Sequence, residues 1–277
     1  MPDARVDARL ARRRFERAAG GYAGASRLES EIGARMLERL DYVKLAPRRA
    51  LDACSGPPQR LLGKRYAQAE VIALDFSLGM LRAGTGWLDV FRKKTSICGD
   101  VERLPIASGA IDLVWSNMAL HWVADPLAAL REFHRVMAVG GLLMFSTLGP
   151  DSLAELRAAA GAGRVHSFAD MHDLGDMLLA AGFAEPVMDM ERITMVYDDG
   201  TALLGDLRAS GQTSARADRA RGLAGRGFLS RLHGGLAAQL REGKLPVGYE
   251  VVYGHAWKAQ ARRTPDGSAI VQFTRHR

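Results

Sequence analysis

Arg49-Ala50-Leu51-Asp52-Ala53-Cys54-Ser55-Gly56-Pro57-Pro58 is a short apolar run that closes on an acid and a turn. A run this short, bounded by Gly and Pro, reads as a buried strand, because a helix needs roughly ten or more residues. Val71-Ile72-Ala73-Leu74-Asp75 repeats the pattern and again ends on an acid. Thr95 to Asp100, Ile111 to Asn117 and Leu142 to Ser146 are the third, fourth and fifth candidates, with Gly140-Gly141 read as punctuation before the last. Helix-compatible stretches lie between them: Arg60 to Gln68, a segment starting at Leu78, and Pro126 to Met137. Short, nearly all-apolar strands alternating with helices predict a parallel sheet covered on both faces. Such a sheet takes its ligand at the carboxyl ends of its strands.

Working outward, residues 5 to 40 read as helix, with Val6, Leu10 and Phe15 opening an apolar stripe that Leu28, Ile32, Met36, Leu37 and Leu40 continue. Gly20-Gly21 splits this region into two helices and Pro47 ends it. On the other side, residues 151 to 181 look helical and Gly182 to Tyr197 suggests two strands. Residues 201 to 243 read as further helices. Val247 to Trp257 and Ser268 to Thr274 look like strands, with Pro265-Asp266-Gly267 as a turn between them. The expected fold class is α/β: a Rossmann-like, doubly wound, mostly parallel sheet with N-terminal helices and a helical insert. The expected organisation is one domain. Residues 1–45 supply the N-terminal helices, 46–150 the core of alternating strands and helices, and 151–277 the remaining strands and a basic insert at about 201–244.

The chain has 277 residues, 38 Lys plus Arg against 31 Asp plus Glu, and a net charge of +7. With 48% apolar and 25% charged residues it has an ordinary globular balance, which excludes wholesale disorder and rod-like folds. No apolar run reaches the roughly 18 residues of a membrane helix, so no membrane partner is expected. The start has no apolar stretch of the kind a secretory signal carries. Two cysteines, Cys54 and Cys98, cannot make a disulfide framework and read as small buried apolar groups in a reducing, cytoplasmic setting. Sparse Cys and His make a metal site unexpected. Positive charge concentrates at Arg9 to Arg17 and between residues 202 and 244, where eight basic residues face three acids.

Three acids stand at successive strand ends. Asp52 sits on a turn that includes Gly56, where backbone N–H groups can approach a nucleotide-type cofactor. Asp75 is placed to accept both hydroxyls of a ribose. Asp100 can accept from an adenine amino group, with the N–H of Val101 beside it.

Several runs carry a family resemblance: Arg13-Arg14-Phe15-Glu16-Arg17-Ala18-Ala19, Leu74-Asp75-Phe76-Ser77, Gly99-Asp100-Val101-Glu102, Ser116-Asn117, Leu120-His121-Trp122, Phe145-Ser146-Thr147-Leu148-Gly149-Pro150 and Tyr249 to Trp257. They resemble class I S-adenosylmethionine-dependent methyltransferases, and within these the biotin-pathway branch that methylates malonyl-acyl-carrier protein. The similarity spans nearly the whole chain. One departure is the first turn, where the family's Asp-x-Gly-x-Gly-x-Gly reads Asp52, Cys54, Gly56 and Pro58. A Cβ at Cys54 disfavours positive φ and narrows the space for the methionine part of the cofactor.

The resemblance implies S-adenosylmethionine as cofactor, bound by the core at 46–150, with residues 1–45 and the helical insert at about 201–244 closing over the active site. It also implies a pose for the cofactor. Asp52, Cys54, Gly56 and Asn117 would meet the methionine end, and Asp75, Ser77 and Met80 the ribose side. Asp100 and Val101 would meet the adenine, while Phe15 and Tyr22 close over the site. His121, Tyr22 and Arg208 are the candidate catalytic residues, with His121 and Trp122 beyond the reactive methyl. Arg208, Arg219, Arg221 and Arg226 are candidates to hold an acceptor carboxylate. The implied acceptor is the free carboxylate of malonyl-acyl-carrier protein or malonyl-CoA, and a carboxylate is already ionised near neutrality. The basic insert suits an acidic carrier protein by steering. It contains only Phe228 as an aromatic residue, so no nucleic-acid partner is expected. The alternative is a relative that methylates weakly or not at all and serves as an assembly or scaffold factor.

Overall fold

A computed structural model describes residues 5–57, 61–83, 95–220, 222 and 224–260. Its strands are β1 (Arg49–Ala53), β2 (Glu70–Asp75), β3 (Thr95–Cys98), β4 (Ile111–Ser116), β5 (Met137–Leu148), β6 (Ala184–Tyr197) and β7 (Leu245–Trp257). They form one seven-stranded sheet in the order β3-β2-β1-β4-β5-β7-β6. β1 through β5 pair in parallel, while β7 runs antiparallel to both β5 and β6. The chain crosses from one half of the sheet to the other between β1 and β4, and a crevice opens at that reversal.

Alternation along the strands builds two cores. Leu113 and Trp115 of β4 and Leu142 and Met144 of β5 face one side, with Ile32 and Met36 of α3 (Arg27–Arg39). Ile111, Val114, Leu143 and Phe145 face the other, against Leu130 and Phe133 of α6 (Pro126–Val136). α6 starts with a proline in its first turn and with Asp125 Oδ1 accepting from the Ala128 N–H at 3.0 Å, a cap worth about 1 kcal/mol.

The N-terminal region holds three helices rather than two: α1 (Ala8–Ala18), α2 (Tyr22–Ala25) and α3. Its helical structure ends near Tyr42, ahead of Pro47. α4 (Leu61–Arg65) and α5 (Leu78–Ala83) flank β2.

Several expectations for the second half need correction. Gly140-Gly141 does not precede β5 but lies inside it, where Gly140 takes φ +80° and the β4 register shifts. Gly182 to Tyr197 yields one long strand, not two. Pro186 is tolerated because β6 is the sheet edge, and Glu185 at φ +51° marks the bulge. Residues 151–181 form α7 (Ala154–Ala160) and α8 (Met171–Ala180), with a 3₁₀ turn (Ala162–Arg164) and irregular chain between. Among the described residues of the region 201–243, only α9 (Gly200–Ala209) and α10 (Arg226–Ala237) are α-helical. The segment between them runs back to the N-terminus. Val6 bridges Arg216, the Asp7 N–H donates to Ala215 O at 2.7 Å, and the Ala217 N–H donates to Arg5 O at 2.8 Å. Ser268 to Thr274 and the turn before it lie outside the described residues.

Candidate active site

The carboxyl ends of β1, β2 and β4 face Phe15, Tyr22 and Glu29 of α1–α3 across a cavity of about 750 Å³. Its described lining carries four carboxylates, Glu29, Asp75, Asp100 and Glu102, and no lysine or arginine. Such a lining favours a cation.

Asp75 is the structural pin of this cavity. It is buried, its Oδ2 accepts from the Gly56 N–H at 2.9 Å, and its Oδ1 accepts from the Ser77 N–H at 2.8 Å. Burial pushes its carboxyl up to about 6 against the pull of those two N–H groups. Each oxygen keeps a lone pair for a further donor. Asp52 lies deeper, in a recess that shares Tyr22, Glu29, Cys54 and Asn117 with the main cavity. Burial, then the charge of Asp75, raises it to about 7. Burial likewise raises Glu29 to about 7, and its carboxylate accepts from the side chain of Gln212.

The first turn takes left-handed backbone at two positions, only one of them a glycine. Cys54 adopts φ +57° and Gly56 φ +59°. The left-handed conformation costs a residue with a Cβ about 1–2 kcal/mol. Backbone and side-chain bonds from β2 offset that strain, namely the Ser55 N–H to Leu74 O at 3.0 Å and the Gly56–Asp75 bond. Cys54 is half-buried and lines the cavity without closing it, and burial keeps its thiol protonated. Pro58 lies outside the described residues. Cys98 is exposed, contrary to the expectation of a buried apolar group.

An aromatic wall completes the cavity. The Phe15 ring meets the edge of Trp122 at 5.2 Å, Phe76 at 6.0 Å and Tyr22 at 6.5 Å between centroids. Met80 is fully buried beside Phe15 yet still lines the cavity, so packing and lining coincide there. Asp100 is exposed with Oδ1 accepting from the Glu102 N–H at 3.0 Å, and Val101 is buried beside it. Asn117 donates to Glu29 O at 2.8 Å and accepts from Ser146 Oγ at 2.9 Å.

Ser77 corrects the expectation of a ribose contact: it is fully buried and does not line the cavity. Its hydroxyl donates to Glu16 Oε2 at 2.6 Å and accepts from the Met80 N–H at 3.1 Å, fastening α1 to the start of α5.

A methyltransferase-domain family model matches residues 51–145, the segment that builds β1 to β5. A malonyl-[acyl-carrier protein] O-methyltransferase of Methylovorus sp. is 49% identical, over 97% of this chain and 95% of its own length. One of Gallionella capsiferriformans is 47% identical, over 96% of each chain. The chain belongs to the malonyl-[acyl-carrier protein] O-methyltransferases. A solved structure of a putative methyltransferase from Bacillus halodurans shares the fold, with a TM-score of 0.60 at 15% identity over 82% of this chain and 99% of that one. The expected fold class and cofactor class therefore hold for this O-methyltransferase, and the scaffold alternative is not favoured.

This O-methyltransferase has a second cavity of about 780 Å³, which shares Trp122 and Gln212 with the first. His121 lines it, not the first cavity. Its Nδ1 lies 3.1 Å from Thr147 Oγ1, and burial with His166 nearby pushes it down to about 3. His166 Nε2 accepts from the Ala215 N–H at 2.7 Å, and burial, followed by Arg216 and Arg14, pushes it down to about 4. Both imidazoles are therefore neutral near pH 7. Ser214 Oγ, also in this lining, is buried without a hydrogen-bond partner among the described residues.

The arginines expected to hold the acceptor fare poorly. Arg208 is exposed on α9 and lines neither cavity. Arg219 donates to Asp7 Oδ2 at 3.2 Å and to Arg216 O at 2.8 Å. Arg226 is exposed at the start of α10, away from both linings, and Arg221 lies outside the described residues. Sequence reasoning missed Glu29, Phe76, Gln212 and Arg164. A buried acid in an amphipathic helix, as Glu29 is in α3, was the available signal for the first.

Proposed function

We propose that the protein transfers a methyl group from S-adenosylmethionine to the free carboxylate of a malonyl group on acyl-carrier protein, in biotin precursor synthesis. The observation that carries this reading is the 49% identity along 97% of the chain to a relative named for that reaction. The anionic cofactor cavity supports it, because S-adenosylmethionine carries a sulfonium and an ammonium against one carboxylate. When bound, that cofactor supplies an electrophilic methyl group.

In this reading Asp75 accepts the ribose hydroxyls through its spare lone pairs. Asp100 and Val101 face the adenine, with Phe76 and Met80 as its walls. Asp52, Glu29 and Asn117 surround the methionine end, and Phe15, Tyr22 and Trp122 exclude water over it. The acceptor enters the second cavity and meets the first at Trp122 and Gln212. Its carboxylate needs no general base, so His121 and Tyr22 act by shaping a dry neutral wall. Oppositely charged reactants that become neutral products react faster when water is excluded. Residues 1–45 and about 201–244 are the covers of a single domain. A reducing cytoplasm is the proposed compartment, in keeping with Cys54 and Cys98 both being free thiols.

The test is transfer of labelled methyl from S-adenosylmethionine to purified malonyl-carrier protein, with the methyl ester identified by mass. An enzyme that binds the cofactor tightly yet leaves malonyl-carrier protein unmodified overturns this acceptor.

A further inference from the structure

The second cavity is mostly apolar, and the polar side chains of its described lining, His121, His166, Gln212, Thr213 and Ser214, are uncharged, with one exception. Arg164, which follows α7, is the only formally charged side chain in its described lining, since His121 and His166 are held neutral. It is also the only exposed residue among those lining residues; every other one is buried or half-buried. An exposed lining residue marks where a cavity meets solvent. The guanidinium sits 3.9 Å from the centroid of the Phe228 ring on α10, and it has no carboxylate partner among the described residues. A guanidinium held over an aromatic face keeps its N–H fork free for an oxyanion.

Two anionic groups of the acceptor could meet it, the malonyl carboxylate and the phosphate of the arm that carries the thioester. Position favours the phosphate. The reacting carboxylate belongs where the two cavities join, at Trp122 and Gln212, and Arg164 lines only the second. A guanidinium on the carboxylate would also withdraw charge from the attacking oxygen, whereas the neutral interior leaves it reactive. The unpartnered Ser214 hydroxyl inside offers a donor for an acceptor oxygen without that charge.

We propose that the second cavity is the chamber for the acyl thioester arm and that Arg164, stacked on Phe228 at its mouth, grips the arm's phosphate. This rests on the methyl-transfer reading above and adds the residue that tells a carrier-borne thioester from a bare one.

The test compares wild type with Arg164→Ala and Arg164→Lys on two acceptors: malonyl-CoA, whose arm carries its phosphate within a diphosphate link, and the malonyl thioester of N-acetylcysteamine, which has none. Removing an exposed charge-assisted contact is expected to raise KM for malonyl-CoA by about tenfold with kcat within about twofold. Arg164→Lys should recover part of that loss, and kcat/KM for the phosphate-free thioester should not change. Equal losses on both acceptors would mean that Arg164 holds the carboxylate, and no loss on either would remove it from recognition; both overturn the proposal. Binding gives a readout independent of turnover. Wild type should bind carrier protein bearing its arm more tightly than carrier protein without it, and Arg164→Ala should erase that difference. If wild type shows the binding difference but no methylation, the methyl-transfer reading fails while the mouth assignment stands.

Discussion

Replacing Asp75 by Asn tests the cofactor site at its most connected point. Asp75 is 4% exposed, and its two oxygens already accept from Gly56 and Ser77. The proposed ribose hydroxyls add one charge-assisted bond to each oxygen. Such bonds contribute about 1.5 kcal/mol each at the low end, so losing the charge at both costs roughly 3 kcal/mol, or on the order of a hundredfold in Kd. Burial leaves little water to screen the loss. The Asn amide also turns N–H groups toward one of the backbone donors, so Tm should drop as well. The assay is calorimetric titration with S-adenosylmethionine and with S-adenosylhomocysteine. Both share the ribose, so both should weaken by the same factor. A folded variant whose affinities stay within about threefold of wild type refutes the ribose assignment.

Burial raises Asp52, Glu29 and Asp75 to about 7, about 7 and about 6. With folded values above the unfolded ones, the folded chain retains protons that the unfolded chain releases as pH rises from about 4 to about 7. Cofactor-free Tm should therefore fall across that window from this source, while the Tm gain from added S-adenosylmethionine grows; a scan showing the reverse trends contradicts the anionic-cavity picture. Cys54→Gly should relieve about 1 kcal/mol of left-handed strain against a small loss of packing, leaving stability near wild type and affinity equal or higher by titration. A sharp loss of binding would show that the thiol has its own purpose in this turn. Gly254→Ala drives a Cβ into the Phe145 ring, where β7 pairs with β5. Overpacking of about 1–3 kcal/mol should appear as a lower denaturation midpoint. His121→Gln should keep kcat within about tenfold and leave no ionisation near neutrality in its pH profile, whereas general-base catalysis contributes about 100-fold or more.

The cofactor half was legible because its strands are short, apolar and end on acids. β1, β2 and β4 appear where Leu51, Leu74 and Val114 announce them, and Asp75 and Asp100 do line the cavity. The later half was less so, for identifiable reasons. Gly140 and Pro186 are breakers by local chemistry, yet a bulge and an edge position absorb them. The basic run after residue 201 reads as one solvated surface. In fact Arg216 is buried, donating to Val165 O at 3.1 Å and pairing with Asp218, while Arg208 points to solvent. Arg164 escaped notice because nothing local distinguishes it; its setting depends on Phe228, which lies 64 positions further along the chain. Ser77 misled for the opposite reason, since a family pattern placed it near a ligand while helix capping claimed its hydroxyl.

The pairing of residues 5–7 with 215–217 ties α1, whose Ala8 and Phe15 line the first cavity, to the loop whose Thr213 and Ser214 line the second. On the proposed reading these are shutters over donor and acceptor, and joined shutters are expected to swing together. Whatever slows departure of the spent donor should then delay the esterified product. Clipping that short ribbon at its N-terminal side would let the two off-rates drift apart.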